Sequence, residues 1–244
     1  MNNFSFSEYK KIILYYKKFL KPVFFDEINK DSNNFFIVRH DVEFSTERAL
    51  ELAKIEKKEL NIKSSFFFQI TNNSYNLFSY ENRKIVSSIK KMGHKIGLHF
   101  NYKGKNLKSK IKKELLNQSK IFNQEFKNEY KFFSPHRPSK FPFLFKLKHK
   151  NLKNTYDQLF FNNFEKAKKN KFKTIYLVDS RHEWKCLHPL KLDLSEHRKV
   201  HLVFHPDAWS KKGYSKKSNY DLLKKEKSLE FNNTLLTETD YLKK

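Results

Sequence analysis

The chain predicts an α/β fold with a mostly parallel sheet, curved into a closed or nearly closed (β/α) barrel of about seven strands; an open doubly wound sheet is the alternative. Three observations predict it. Short apolar runs alternate with amphipathic helical stretches along most of the sequence. Several of the runs stop at a His, Asp or Arg, and the parallel strands of a barrel all end on one face. No run is followed by a Gly-rich phosphate loop of either common kind, which disfavours the open nucleotide-binding sheets built on such loops.

The elements follow in order. Ser7 and Glu8 open a first helix over residues 7–19, with Ile12, Ile13, Tyr15, Tyr16 and Phe19 at helical spacing. Residues 23–25 are a short extended segment. Residues 35–40, rich in Phe, Ile and Val, read as a buried strand that runs into Asp41 and Glu43. A helix over 46–60 has Ala49, Leu50, Ala53, Ile55 and Leu60 as its apolar stripe, with Ser45 or Thr46 as its cap. Residues 64–70 (SSFFFQI) form the next strand. The helix over 80–92 carries Ile85, Val86, Ile89 and Met92 on one face and ends at Gly93, which suits a left-handed C-cap. Strands over 95–100, 130–133, 173–179 and 200–204 follow, the first two separated by a Lys-rich helix over 104–127. Residues 140–172 fit helix or loop, and 218–243 read as a polar helix anchored by Tyr220, Leu222, Leu223 and Leu229.

A length of 244 residues without a composition break suits one domain spanning 1–244. The single cysteine, Cys186, excludes a disulfide framework and Cys-rich zinc sites. The N-terminal stretch has no uninterrupted apolar core or cleavage site, and no run approaches a membrane span, so a cytoplasmic protein is expected. The net charge of +25 comes from lysines spread over nearly every helix beside many Asn, which reads as a usage bias. No specific nucleic-acid partner is expected, although the charge favours phosphate-bearing substrates or peripheral contact with lipid headgroups.

Five strand ends carry chemistry: Asp41 with Glu43, His99, His136 with Arg137, Asp179, and His205. A barrel would bring them to one face. Carboxylates and histidines without cysteine match a divalent ion, zinc or another first-row metal. Such an ion polarises an acyl oxygen and activates water, with Asp41 as base and His205 as acid. Trp184 and Trp209 are candidates to stack on a sugar ring, although an aromatic residue is more often core.

In this order the blocks Arg39-His40-Asp41-Val42-Glu43, Gly93-His94-Lys95-Ile96-Gly97-Leu98-His99, Ser134-Pro135-His136-Arg137-Pro138, Asp179-Ser180 with Trp184, and His205-Pro206 with Trp209 resemble the motifs of the polysaccharide deacetylase superfamily (carbohydrate esterase family four, the NodB-homology fold). The chain looks most like a divergent branch found among surface-polysaccharide biosynthesis proteins. The resemblance implies a distorted (β/α) barrel and a metal-dependent hydrolase of a non-peptide C–N bond, removing acetyl from a nucleotide-, lipid- or polymer-linked N-acetylated sugar. It implies Asp41 as base, Arg137 as the arginine that orients it, Glu43 and His99 as metal ligands, and His205 as acid, with Asp179 beside it. Where the family's second metal histidine stands, four residues after the first, this chain has Lys103; His136 is the substitute ligand. These departures leave two rivals open: a catalytically altered barrel with another hydrolase or transferase activity, and a non-enzymatic glycan- or polyanion-binding protein.

Overall fold

The structure, a computed structural model, describes residues 4–239. Positions 240–243 of the expected last helix lie outside the described residues. The chain runs α1 (Phe6–Phe19), β1 (Lys21–Pro22), β2 (Phe35–Val42), α2 (Thr46–Ile55), β3 (Ser65–Phe68), α3 (Tyr80–Lys91), β4 (Lys95–Phe100), α4 (Lys108–Phe126), β5 (Phe132–Pro135), β6 (Lys153–Asn154), α5 (Phe164–Lys168), β7 (Ile175–Val178), β8 (Lys199–Phe204) and α6 (Lys216–Glu238). The expected helix over 46–60 changes geometry part-way: α2 passes into a π-helical turn over Glu56–Leu60, which ends at Asn61 in left-handed backbone. The stretch 140–172, where helix and loop were both open, holds two 3₁₀ turns, the two-residue β6 and the short α5.

Seven strands pair in parallel in the order β6-β5-β4-β3-β2-β8-β7, and β1 pairs with the start of β2. Read as a circle, that order is chain order, which is the topology of a barrel with its seam between β6 and β7. No strand pairing closes the seam among the described residues. Side chains bridge it instead: Thr174 Oγ1 donates to Leu159 O (2.7 Å), Asn162 Nδ2 donates to Thr174 O (3.4 Å), and the Tyr156 and Tyr176 hydroxyls meet at 3.2 Å. The two residues of β6 are too few to offer a ladder to β7.

Strand period explains why the sequence shows continuous apolar runs rather than alternation. In β2, Phe36 and Val38 face the helices of one outer cluster, while Phe35 and Ile37 face the barrel interior. The interior plug is Phe25, Phe35, Ile37, Phe67, Tyr130, Phe132 and Phe160. It fills the barrel floor and leaves only the C-terminal ends of the strands for chemistry. Gly97 in β4 makes room for this plug, since a Cβ there would lie 2.6 Å from the Phe67 ring and 3.0 Å from Phe132 O.

Outside the barrel, His40 points from β2 into the helical layer. Its Nε2 pairs with Glu56 Oε1 (2.9 Å), which also accepts from Tyr9 Oη (2.5 Å); Ser64 Oγ donates to Glu56 Oε2 (2.5 Å). His94 joins this layer through Ser64 N (3.1 Å) and Ala53 O (3.2 Å). These groups tie α1, the π-helical turn, β2 and the residues that lead into β3 and β4 together. Both histidines are therefore structural, on the far side of the sheet from the strand-end site. Among the described residues no helix is long and apolar enough to cross a membrane.

Gly97→Ala should cost about 1–3 kcal/mol, because a methyl in a filled core forces neighbouring side chains off their rotamers. Equilibrium urea unfolding measures it; an unchanged midpoint would mean that the plug is loosely packed.

Candidate metal and acid–base centre

Strand period puts residues 39, 41 and 43 on the interior face of β2 and its extension. Arg39 and Asp41 are almost wholly buried there as a two-point ion pair: Nε donates to Oδ1 at 2.9 Å and Nη2 to Oδ2 at 2.6 Å. Ser134 Oγ on β5 also donates to Asp41 Oδ1, at 3.2 Å. The remaining guanidinium contacts cross to the seam, with Nη1 on Thr155 Oγ1 (3.1 Å) and Nη2 on the Tyr156 hydroxyl (3.3 Å). Burial alone would raise the Asp41 pKa, but the Arg39 charge, then His99, outweighs it and holds the carboxyl well below the usual range.

This corrects the role expected for Arg137. The arginine that orients Asp41 is Arg39. Arg137 is exposed, has left-handed backbone (φ 45°) and lines the mouth of the cavity. The signal that finds Arg39 was present in the sequence, since two residues apart on a strand means one face.

Glu43, His99 and His136 come together from the ends of β2, β4 and β5, with one ligand atom from each within 4.8 Å of the others. Glu43 Oε1 lies 3.3 Å from His99 Nε2 and 3.2 Å from His136 Nε2. The far side of each ring identifies its proton. His99 Nδ1 faces Ser134 O at 3.0 Å, and His136 Nδ1 faces Asn101 Oδ1 at 3.2 Å. The Asn101 amide nitrogen is engaged with Gln69 Oε1 and Thr71 O, both at 3.1 Å, so its oxygen is the acceptor. Both Nδ1 atoms therefore carry hydrogen, which leaves each Nε2 turned towards Glu43 as the ligand atom. Three such donor atoms converging on one point favour positive charge between them. Burial lowers the His136 pKa despite its bond to Glu43, which disfavours a second proton on that ring. The set fits a divalent cation, with the carbonyl partners orienting its histidine ligands. Lys103 is exposed and does not line the cavity.

His205 follows β8, and its Nδ1 meets Asp179 Oδ1 at 2.7 Å while its own N–H donates to the same carboxylate at 2.9 Å. Trp209 Nε1 donates to Asp179 Oδ2 at 2.6 Å. Burial opposes the charged imidazolium, but the Asp179 bond and charge, then Glu43 and Asp41, raise the His205 pKa to about 10. His205 Nε2 faces inward, 3.8 Å from Glu43 Oε1.

Trp209 is wholly buried, packed edge-on against Tyr9 and Phe204. Its indole serves Asp179 and is not available to stack on a sugar. Trp184 packs against the same outer core and does not line the cavity. The expectation of two stacking tryptophans is corrected on both counts: an indole between sheet and helices buries more apolar area than one at a cavity mouth. The rings that do line the cavity are Phe44, Phe145, Tyr156, Phe161, Tyr176 and Tyr220. Three of the six, Phe145, Tyr156 and Phe161, come from residues 140–172, whose sequence carries no strand or helix signal. The cavity holds about 420 Å³ and contains Asp41, Glu43, His99 and His205; this is room for a sugar unit.

No protein-family model matches the chain, and no curated protein matches its sequence. Among solved structures it is similar to the chitin deacetylase of Colletotrichum lindemuthianum, with 14 % identity, a TM-score of 0.46, and 85 % of this chain and 86 % of that one covered. It is also similar to the catalytic domain of a peptidoglycan N-acetylglucosamine deacetylase from Eubacterium rectale, with 12 % identity, a TM-score of 0.44, and 83 % and 87 % covered. A family 4 carbohydrate esterase from Bacillus anthracis has 13 % identity and a TM-score of 0.37, with 93 % and 86 % covered. At such identities and scores the likenesses do not say which residues act here.

Arg39→Met should destabilise the protein by about 3–5 kcal/mol at neutral pH, because it strands a buried carboxylate. The sign of the pH dependence should also reverse. In the native protein the depressed Asp41 pKa contributes stability above the ordinary carboxylate range, lost as pH falls towards the depressed value. Without Arg39, burial raises that pKa, and stability should instead fall as pH rises through and above the carboxylate range. Urea titrations at several pH values read both effects; equal acid sensitivity in the two proteins would refute the pairing.

Proposed function

We propose that this chain is a metal-dependent deacetylase that hydrolyses the acetyl group of an N-acetylated sugar during surface-glycan biosynthesis. The observation that carries the reading is the meeting, in one sugar-sized cavity, of an ionised buried carboxylate, a convergent Glu–His–His donor set and a carboxylate-backed histidine. The resemblance of the motif blocks supports the same reaction, and with it the surface-glycan setting. A cytoplasmic precursor, sugar-nucleotide or lipid-linked, is the proposed substrate form.

Each group has a task. A divalent ion, zinc by preference, held by Glu43, His99 and His136 would supply Lewis acidity for the acyl oxygen and lower the pKa of a nearby water. Asp41 receives the proton of the attacking water. Its depressed pKa makes it a weak base, so it serves only a water already acidified. Arg39 and Ser134 fix the carboxylate and leave it no freedom to swing away. His205, charged because Asp179 supports it, gives a proton from Nε2 to the departing amine. The aromatic wall from Phe145 to Tyr176 excludes bulk water and offers rings to the sugar.

Purified wild-type protein should hold about one zinc-type ion per chain, measured by inductively coupled plasma mass spectrometry. His99→Ala and His136→Ala should each weaken metal affinity by more than ~100-fold, beyond the 10–100-fold usual for outer-shell changes. No metal after reconstitution, with acetyl release still present, would sink the mechanism.

The pH–rate profile gives a second test. Activity should fall as pH rises through the His205 pKa, since the acid is then unprotonated. Asp179→Asn removes the group that raises that pKa, so the alkaline limb should move to lower pH by about one unit or more, one unit being ~1.4 kcal/mol. An unmoved limb would assign the acid to another group.

A further inference from the structure

Asp207 stands out among the cavity residues because the mechanism does not use it. It lies in the 3₁₀ turn Pro206–Ala208 that follows β8, two residues beyond His205. Only 7 % of it is exposed, it lines the cavity, and its Oδ1 has no hydrogen-bond partner among the described residues. A buried carboxyl oxygen left without a partner is costly, and native proteins keep few of them.

The contrast with its own backbone is sharp. Asp207 O accepts from Arg48 Nη1 at 2.5 Å and from Asn219 Nδ2 at 2.8 Å. Arg48 is itself held by Glu226, through bonds of 3.0 Å from Nε and 3.0 Å from Nη2, and by Asn219 Oδ1 at 2.8 Å. Asn219 is wholly buried on α6, and the next residue, Tyr220, lines the same cavity. The fold thus locks the turn in place with an arginine from α2 and an amide from α6, and leaves Oδ1 of the side chain it presents without a partner. A structural carboxylate would be expected to take Arg48 itself; here the guanidinium goes to the backbone and to Glu226.

The charged groups around Asp207 agree with a partner that is not a cation of the protein. Burial, with Glu43 and Asp179 nearby, pushes its pKa up to about 7 against the opposing charge of His205. In either protonation state the carboxyl can accept a hydrogen bond from a hydroxyl.

We propose that Asp207 is a specificity-determining residue whose carboxyl takes a hydroxyl of the acylated sugar ring, and so sets which sugar is presented to Asp41 and His205. This rests on the deacetylase reading above. Arg48 and Asn219 are positioning residues that hold the turn in place. Loss of the hydroxyl, or its inversion, would leave the carboxyl unpaired inside the cavity, and sites built to hydrogen-bond a substrate hydroxyl reject analogues strongly.

The probes are N-acetylglucosamine, N-acetylgalactosamine and the 3-, 4- and 6-deoxy forms of N-acetylglucosamine. Binding is read by calorimetry, acetyl release by a coupled acetate assay, and Tm and metal content for each variant. Wild type should discriminate against at least one deoxy or inverted analogue by about tenfold or more. Asp207→Ala should erase that discrimination and raise KM more than it lowers kcat. Its Tm should stay level or rise, because an unsatisfied buried carboxyl has been removed, and its metal content should be unchanged. Asp207→Asn, which keeps an acceptor oxygen, should restore part of the discrimination.

Several outcomes overturn the proposal. Discrimination equal to wild type in Asp207→Ala, with deacetylation intact, rejects Asp207 and leaves the deacetylase reading standing. A fall in Tm with unchanged KM makes Asp207 structural. A loss of metal makes it a ligand. Wild type that neither binds nor deacetylates any of the sugars, free or as their nucleoside diphosphate conjugates, removes the deacetylase reading and this proposal with it.

Discussion

The Arg39–Asp41 pair is the interaction on which the centre depends. A carboxylate inside a barrel loses its hydration, and burial alone would drive it towards the neutral acid. Arg39, on the same face of the same strand, supplies a charge and two donors in a fork that matches the carboxylate. The pair also joins distant parts of the chain. Ser134 ties Asp41 to β5, while Thr155 and Tyr156 tie Arg39 to the segment after β6. A single buried guanidinium therefore both ionises the proposed base and helps to hold the unpaired seam of the barrel shut.

The strand β2 separates two polar systems with different purposes. Its interior face carries Arg39 and Asp41, and Glu43 follows at its end. Its outer face carries His40, which is spent on Glu56 and Tyr9 in the helical layer. Adjacent residues in one motif block thus lie on opposite sides of a sheet. A buried ionic group on each side is costly, and each side meets that cost by satisfying most of its hydrogen bonds. The interior side leaves Asp207 Oδ1 unpartnered at the cavity, where Asp41, Glu43 and Asp207 lie with His99 and His205. That concentration of buried ionisable groups costs hydration and sets carboxylates near one another, which a cation and a polar substrate would relieve.

Much of the architecture is legible in the sequence. Apolar runs such as Phe35 to Val38 and Val200 to Phe204 mark strands buried on both faces, and the residues that end them mark the shared rim. The closing seam was not legible. Residues 140–172 carry Phe and Lys without helical or strand period, because their job is to pack rings and side-chain hydrogen bonds across a gap. The cavity's aromatic wall, from Phe145 to Phe161, comes from that stretch.

The sequence by itself determined the order of strands, the residues at their ends, and the chemistry on offer: carboxylates and histidines without cysteine. Local rules suffice there, since strand period and apolar runs depend only on near neighbours. Tertiary structure decided who pairs with whom. It gave Asp41 to Arg39 rather than Arg137, turned Trp209 from a candidate sugar platform into a donor for Asp179, and set Asp207 at the cavity with its backbone held and its Oδ1 without a partner. Long side chains and indoles reach several ångströms across a barrel. Their partners are therefore chosen by which groups the closed sheet brings within hydrogen-bond distance, and spacing along the chain does not encode that distance.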